Sequence, residues 1–222
     1  MRKSVVIIVT LLTTIFSLFG YCEASEGKTP SSPKANLTLV NKTHRLPDNW
    51  ENTIQIDTVT NSLNEEFRIE HNTYINYLRL RNALLEKGVQ IELDSVYRTV
   101  EEQQEIWDAW SNDPELGEEY CKKYLAVPGF SEHHTGLAVD IFIMKGDTEI
   151  RDNDDMIADT EDFAIIHELL PKYGFILRYP EGKEESTGYT YEPWHLRYVG
   201  DANIATTITE QDLTLEEYLG AN

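Results

Sequence analysis

The chain has 222 residues, of which 41% are hydrophobic and 26% are charged, and this composition suits one globular domain with tails better than two domains. Four tryptophans, twelve tyrosines and seven phenylalanines can supply a core, so the composition excludes a largely disordered chain, a collagen, a coiled coil and a multi-span membrane protein. The formal net charge of −20 repels phosphate backbones and argues against a nucleic-acid partner.

The N-terminal segment has the organisation of a secretory signal. Residues 1–3 supply positive charge, residues 5–19 are apolar apart from a few hydroxyl side chains, and the segment ends at the small residue Ala24. We therefore expect residues 1–24 to be a signal peptide cleaved after Ala24 or, alternatively, to remain as an N-terminal membrane anchor. Both alternatives predict an exported protein, in the extracellular space or the cell envelope.

Residues 25–36 contain Ser, Pro, Lys, Glu and Gly with almost no apolar side chain, which predicts a flexible tether. The folded domain is expected to cover residues 37–222. Cleavage after Ala24 would remove Cys22 and leave Cys121 as the one cysteine of the exported domain, so no internal disulfide is predicted. We expect Cys121 to be a structural thiol.

The first part of the domain predicts one helix and one strand. Between residues 65 and 87 the apolar side chains recur at helical spacing, and Gly88 is placed to end this helix. Residues 89–93 alternate apolar and polar side chains, as expected of a strand.

A second helix is predicted to begin at Thr99, which opens a capping-box sequence. This helix carries Trp107 and Trp110, which lie three residues apart and are expected to face the core. Residues 137–143 are apolar or β-branched except for Asp140, which predicts a buried strand.

The last third of the chain mixes both kinds of element. A helix is predicted from Thr160 to a stop before Gly174, strands are predicted at residues 175–179 and 189–199, and a short final helix is predicted after Thr214. Because helices and strands mix without a βαβ repeat, the predicted fold class is α+β.

Asp140 is the most informative residue of the sequence. A carboxylate in a buried strand costs several kcal/mol unless it is paired or binds a metal. His133 and His134 lie shortly before it, and His195 lies much later in the chain. Two neutral imidazoles and one carboxylate form a three-ligand zinc site with a fourth position for water. The residues alone leave a second interpretation open, in which these are structural polar groups and Asp140 pairs with an arginine.

A zinc site of this kind also needs a general base and a group that stabilises the oxyanion. Glu192, three residues before His195, is the candidate base. Arg98 follows the strand predicted after Gly88 and is the candidate oxyanion partner. No Ser or Cys nucleophile is required, because a metal can activate water to attack the carbonyl carbon.

Three separated motifs resemble a known enzyme family. The segments are SEHHTGLAVD at residues 131–140, EPWHLR at residues 192–197 and SVYRT at residues 95–99 with Gln103. They are similar to motifs of the zinc D-alanyl-D-alanine carboxypeptidases of the VanY kind and of their LD-carboxypeptidase relatives. The similarity extends over about residues 37–219, nearly the whole predicted domain.

The resemblance implies a fold and a role for each matching residue. The fold would be the one shared with hedgehog signalling domains, in which helices pack against a small, mainly antiparallel sheet. Glu192 would take a proton from water and pass it to the leaving amine, and Arg98 would stabilise the oxyanion. The implied Zn²⁺ ligands are His133, Asp140 and His195. The residues implied to line the site near the C-terminal end of the peptide are Ser131, Gln103 and Trp194.

Two positions depart from the family pattern. Val96 stands where Gly or Ala is commoner and is expected to crowd the turn into Arg98. His134 stands where Gln is common and is a competing candidate ligand beside His133. Since neighbouring residues on an extended loop usually point apart, we expect His134 to face away from the metal.

The expected function is that of an exported zinc metallocarboxypeptidase. Its substrate would be a peptidoglycan stem peptide ending in D-Ala-D-Ala, from which it would remove the last D-Ala. One alternative is LD-carboxypeptidase activity on tetrapeptide stems. Another is a non-catalytic zinc-containing module that binds the cell wall. The sequence predicts no oligomeric state.

Overall fold

The computed structural model describes residues 35–221, which form an α+β fold. The strands of these residues are β1 (Ile56–Thr60), β2 (Glu66–Glu70), β3 (Gln90–Ser95), β4 (Ala138–Lys145), β5 (Thr148–Ile150), β6 (Phe175–Leu177) and β7 (His195–Tyr198). The helices are α1 (His71–Glu86), α2 (Val100–Ser111), α3 (Gly117–Tyr124), α4 (Asn153–Ala158), α5 (Thr160–Leu169), α6 (Glu184–Thr187), α7 (Ala202–Glu210) and α8 (Leu215–Leu219). Short 3₁₀ turns lie at Ala35–Leu37, Trp50–Asn52, Glu132–Thr135 and Leu170–Tyr173.

The central sheet is antiparallel, with the strand order β3-β4-β7-β6 and with β5 paired to the far end of β4. Strands β1 and β2 form a separate antiparallel hairpin. The predicted fold class, a small and mainly antiparallel sheet with packed helices, is confirmed.

The main apolar core lies between the sheet and helices α1 and α5. Five of the eight residues of β4 are buried, so this strand is the centre of the domain. Helix α1 contributes Tyr77, Leu80 and Leu84, and α5 contributes Phe163 and Ile166. Because the core fixes β4 on both faces, a side chain at the N-terminal end of β4 is held rigidly.

The folded domain begins before residue 37. Asn36 is buried, and its carbonyl oxygen accepts a hydrogen bond of 2.9 Å from Arg197, so the tether predicted to extend through residue 36 ends earlier. The predicted signal or anchor (residues 1–24) and residues 25–34 of the tether lie outside the described residues. Within residues 35–221, no helix combines the length and the hydropathy that crossing a membrane requires. Cys121 is a free, buried thiol.

The helix predicted over residues 65–87 is wrong at its N-terminal end. Glu66–Glu70 forms β2, and α1 begins only at His71. The carboxylate of Glu70 accepts a hydrogen bond of 2.8 Å from the backbone N–H of Thr73 and so caps α1, which separates the strand from the helix. Gly88 has a φ of 85° and follows the end of α1, as predicted.

The other predicted boundaries hold in part. The capping box predicted at Thr99 is confirmed, and the predicted short final helix begins after Thr214, which also forms a capping box. The strand predicted over residues 189–199 is shortened to His195–Tyr198, because Pro193 has no N–H to donate and residues 189–194 form a loop. Trp110, expected in the core, is 37% exposed on α2.

Candidate active site

Three side chains that are distant in the sequence meet where β4 and β7 pair. Asp140 of β4 lies directly opposite His195, the first residue of β7. His133 comes from the 3₁₀ turn before β4, and Gly136 ends that turn with a φ of 72°. One ligand atom from each of the three residues lies within 4.8 Å of the other two. The structure therefore brings the three predicted metal ligands together.

Hydrogen bonds determine which atoms face the centre of this cluster. His133 Nδ1 donates to the carbonyl oxygen of Val96 at 2.7 Å, which leaves the Nε2 lone pair facing Asp140 Oδ2 at 3.1 Å. His195 turns Nδ1 towards Asp140 Oδ1 at 2.9 Å. Two imidazole nitrogens and a carboxylate oxygen are a donor set that zinc prefers.

The cluster shifts the pKa of each of its members. Burial would raise the pKa of Asp140, but the two imidazoles hold it well below its usual range. Burial lowers the pKa of His133, which is therefore neutral at pH 7. Burial would also lower the pKa of His195, but the Asp140 carboxylate raises it to about 10. In the metal-free protein the His195 ring therefore carries a proton at neutral pH.

The residues fit a divalent cation. Asp140 Oδ1 is buried and, although it lies close to His195, it makes no hydrogen bond of good geometry. A buried carboxylate oxygen without a partner is costly, and a cation held between the two rings would satisfy it. Three protein ligands are the number found in catalytic zinc sites, whereas structural sites have four.

Glu192 lies beside this cluster, on the loop that leads into β7. Its Oε2 is 3.7 Å from His195 Nδ1. Its backbone N–H donates to Tyr179 and its carbonyl oxygen accepts from the N–H of His195, at 3.1 and 3.2 Å. His167 Nε2 donates to the carbonyl oxygen of Pro193 at 2.9 Å and holds the middle of the loop. Burial raises the pKa of Glu192 to about 7, which is suitable for a group that must both accept and donate a proton.

Arg98 is held on the opposite wall by two side chains. It donates from Nη1 to Gln103 Oε1 at 2.6 Å and from Nη2 to Ser95 Oγ at 2.8 Å. Gln103 is buried and donates in turn to the carbonyl oxygen of Ala126 at 2.7 Å. Both polar ends of the Gln103 amide are therefore used within the protein, and this residue fixes Arg98.

All the predicted site residues border one cavity of about 200 Å³. Ser131 lies at its wall and accepts a hydrogen bond of 3.3 Å from the backbone N–H of His133. The predicted residues that line the cavity are Arg98, Gln103, Ser131, His133, Asp140, Glu192, Trp194 and His195.

His134 does not belong to the metal cluster. Its Nδ1 donates to the carbonyl oxygen of Arg98 at 2.7 Å, and its Nε2 accepts from the backbone N–H of Gly129 at 3.0 Å. Burial lowers the pKa of His134 to about 4, so the ring stays neutral and keeps both bonds at neutral pH. His134 therefore joins the Arg98 segment to the turn at Gly129.

This contact predicts different effects of two substitutions at residue 134. In His134→Gln, the amide oxygen can accept from Gly129 and the amide N–H can donate to Arg98, so we expect kcat/KM within about twofold of the wild-type value. His134→Ala leaves two buried backbone groups unpaired, at about 1–3 kcal/mol each, and we expect kcat/KM to fall by about tenfold as Arg98 shifts. Steady-state kinetics on both variants tests this, and an alanine variant as active as the glutamine variant would contradict it.

Glu132 is a residue of the site that the sequence analysis missed. Its side chain is fully buried, and Oε1 accepts hydrogen bonds from Arg178 Nε at 2.7 Å and from Arg197 Nη1. Its other oxygen, Oε2, lies 3.4 Å from His195 Nε2, and neither of these two buried atoms has another partner among the described residues. The carboxylate therefore faces the ring nitrogen of His195 that points away from the metal cluster, where such a group orients a ligating histidine.

The same network extends to the C-terminal helix. Arg178, fully buried, donates to both carboxylate oxygens of Glu216 on α8, at 2.9 and 2.6 Å. Asn41 Nδ2 also donates to Glu216, at 3.0 Å. The sequence contained a signal for this network, because Arg178 and Arg197 stand in apolar segments and a buried charge requires a partner.

A comparison with known families identifies the group to which this site belongs. The family model described as VanY, D-alanyl-D-alanine carboxypeptidase, matches residues 66–201. The chain belongs to the VanY family. The match begins at β2, ends just before α7, and includes every residue that lines the metal cluster.

Relatives of the VanY family match most of the chain. VanXYC of Enterococcus gallinarum, a bifunctional D-Ala-D-Ala dipeptidase and D-Ala-D-Ala carboxypeptidase, is 38% identical over 187 residues, which cover 82% of this chain and 92% of that protein. A variant of the D,D-pentapeptidase VanY from a VanB-type vancomycin resistance cassette, solved in complex with Zn(II), has a TM-score of 0.68 and 34% identity, and the match covers 83% of this chain and 99% of that chain. The LD-carboxypeptidase LdcB has a TM-score of 0.70 and 34% identity, with coverage of 85% and 87%.

Proposed function

We propose that this VanY-family enzyme is a zinc-dependent carboxypeptidase that removes the C-terminal D-Ala from peptidoglycan stem peptides ending in D-Ala-D-Ala. The observation that carries the proposal is the convergence of His133, Asp140 and His195 beside Glu192, in a cavity that Arg98 also lines. The Zn(II) complex of the VanY relative and the activities of VanXYC support the metal and the substrate class.

The protein supplies the groups that the reaction needs around the metal. His133, Asp140 and His195 would hold Zn²⁺, which acidifies a water molecule and polarises the scissile carbonyl when it is bound. Glu192 accepts the proton of the attacking water and delivers it to the leaving amine of D-Ala. Arg98, fixed by Gln103 and Ser95, offers its positive charge to the developing oxyanion.

LD-carboxypeptidase activity on tetrapeptide stems is the second candidate function. The likeness to LdcB, with a TM-score of 0.70, favours it. The two activities differ in the configuration of the residue before the scissile bond. Incubation with pentapeptide and tetrapeptide stems, followed by mass spectrometry, separates them: we expect loss of one D-Ala from the pentapeptide. Loss from the tetrapeptide alone would overturn the D,D-carboxypeptidase proposal.

A chelator experiment tests the proposal against a non-catalytic wall-binding module. We expect release of D-Ala from a D-Ala-D-Ala-ended peptide to stop with EDTA and to return when Zn²⁺ is added in excess over the chelator. A serine peptidase would be indifferent to the chelator. A binding module would retain affinity for the peptide but release no D-Ala under either condition, and that result would overturn the proposal.

We also propose that residues 1–24 direct export of the enzyme and that residues 25–34 separate it from a membrane if the leader is retained. The apolar run and the tether-like composition of these residues support this. A reporter fused after residue 36 and expressed with and without residues 1–24 tests it by fractionation. Equal cytoplasmic retention of both fusions would contradict export.

Zinc binding should release at least one proton near pH 7.5. Asp140 raises the pKa of His195 to about 10, so its ring is protonated before the metal arrives and must be deprotonated to bind it. Titration calorimetry in buffers of different ionisation enthalpy measures this, because the observed binding enthalpy should vary linearly with the buffer enthalpy. Binding enthalpies that are equal in all buffers would contradict it.

A further inference from the structure

The exposed aromatic side chains are concentrated beside the active-site cavity. Seven large hydrophobic side chains are exposed within residues 35–221, and four of them, Trp110, Tyr120, Tyr124 and Ile157, line one groove of about 520 Å³, called here the aromatic groove. Contiguous exposed apolar surface marks interaction sites on soluble proteins. The volume of this groove lies within the roughly 300–1,000 Å³ of ligand sites.

Core packing does not explain these rings. Helix α3 directs Cys121 into the interior, while Tyr120 and Tyr124, one turn apart, face solvent. The ring centroids of Trp110 and Tyr120 are 6.1 Å apart, and those of Tyr120 and Tyr124 are 4.6 Å apart. The ring planes are tilted by 54° and 42°, so the rings do not stack face to face, and Lys123 Nζ lies 4.8 Å from the centroid of the Tyr124 ring.

The aromatic groove opens into the active-site cavity on one side. The side chains that line both are Trp110, Tyr124, Asn153, Glu192 and Trp194. Arg98, Gln103 and Ser131 line the cavity but not the groove. A substrate whose C-terminal residue lies on the Gln103 and Ser131 side of the cavity can extend across the shared wall into the aromatic groove.

The groove adjoins the cavity, as a binding site for the carrier of a stem peptide must. The four residues before the scissile bond of a pentapeptide extend over roughly 13–14 Å when fully stretched. Trp110 and Tyr124 stand in the cavity wall, whereas Tyr120 lines the groove but not the cavity, with ring-centroid distances of 6.1 Å to Trp110 and 4.6 Å to Tyr124. A stem peptide that extends from the cavity into the groove would bring its attached sugar towards Tyr120.

The charges of the groove favour an uncharged ligand over an anionic one. Asp152, Asp154 and Glu192 line it and repel anionic ligands. Arg151 also lines the groove, but it is paired with Glu149 at 3.1 Å and with a second carboxylate. A pyranose ring offers a C–H face to the aromatic rings and hydroxyl groups to the carboxylates, with no charge to be repelled.

We propose that the aromatic groove binds the glycan of peptidoglycan, through the amino sugar that carries the stem peptide. This inference rests on the proposed function, since it extends the same substrate outward from the active site. Binding of the glycan in this groove would make the enzyme prefer stem peptides that are attached to sugar over free peptides of the same sequence.

The test compares two ligands on zinc-loaded Glu192→Gln protein, in which turnover is expected to be about 10²- to 10⁴-fold slower than in the wild type. Calorimetry gives Kd for a disaccharide-linked pentapeptide and for the same pentapeptide without sugar. We expect the sugar to tighten binding about tenfold, and Tyr120→Ala in the same background to reduce this gain to less than about twofold. Leu85→Ala removes another exposed hydrophobic side chain, on α1, and should leave the gain unchanged.

Three results would overturn the proposal. The first is equal Kd values for the two ligands, and the second is a gain that Tyr120→Ala does not change. The third is a Tyr120-dependent gain that disappears when the side-chain amine of the peptide is acetylated, which would assign the groove to a cation. Hydrolysis of the free pentapeptide by the wild-type enzyme is measured separately. If the enzyme does not hydrolyse this peptide, the proposed function is refuted. If it does, but the sugar has no effect on binding, only the glycan site is refuted.

Discussion

Replacement of Glu192 by glutamine should lower kcat for D-Ala release by about 10²- to 10⁴-fold while the zinc content remains one ion per chain. Glutamine keeps the size of the side chain and an oxygen that accepts hydrogen bonds, but it cannot take a proton from water. Glu192 Oε2 lies 3.7 Å from His195 Nδ1, and the three ligands do not need Glu192 to converge. Steady-state kinetics together with metal analysis of the purified variant tests both parts.

The pH profile provides a second readout of the same group. Burial raises the pKa of Glu192 to about 7, and a bound cation favours the ionised form, so the wild-type kcat/KM should rise with pH to a plateau with a midpoint at or below 7. The activity rises rather than falls because the ionised carboxylate is the base. The residual activity of Glu192→Gln should lack this limb. An undiminished kcat, or loss of zinc from the variant, would show that Glu192 is not the base.

Substitution of Glu132 by glutamine should weaken zinc binding by about 10- to 100-fold and also lower the free energy of unfolding. The Glu132 carboxylate faces His195 Nε2 at 3.4 Å and neutralises Arg178 and Arg197, all of them buried. Removal of one partner from a buried ion pair costs about 3–5 kcal/mol, because the remaining charge is left uncompensated. Competition with a chelating dye measures zinc affinity, and urea unfolding of the metal-free protein measures stability.

Glu216→Gln is the matched control for this effect. Glu216 binds the same Arg178 but lies on α8, away from the histidines of the cluster. We expect it to lower stability as Glu132→Gln does, while zinc affinity changes by less than about threefold. Equal loss of zinc affinity in both variants would mean that Glu132 acts only through stability, and would contradict its role in orienting His195.

Much of the site could be predicted from single charged residues whose burial costs free energy unless they have a partner. Asp140 in a buried strand requires a partner, and the search for one leads to His133 and His195. The start of α2 could be predicted from the capping residue Thr99, and the end of α1 from Gly88, whose backbone is left-handed. Both signals lie within a few residues of the helix end that they mark. The α+β class followed from the mixture of helical and strand periods, and it is confirmed.

Features that depend on tertiary contacts could not be predicted from the sequence. The register that sets Asp140 opposite His195 is decided by the assembly of β4 with β7, which no local pattern encodes. Phe67 and Ile69 of β2 alternate over too few residues to be distinguished from the helical period that follows. The exposure of Trp110 conflicts with its apolar character, and its contact with Tyr120 of α3 exists only in the folded domain. The buried positions of Arg178 and Arg197 call for a partner, but Glu132 is distant from both in the chain and meets them only in the folded domain.

The most direct test is an anomalous difference map, recorded at the zinc edge from crystals of the zinc-loaded protein. We expect one strong peak in the active-site cavity, about 2.0–2.2 Å from His133 Nε2, a carboxylate oxygen of Asp140 and His195 Nδ1. A peak bound by His134 in place of His133, a peak that does not touch Asp140, or a cavity with no zinc at saturating metal would contradict the proposed metal centre and the mechanism built on it.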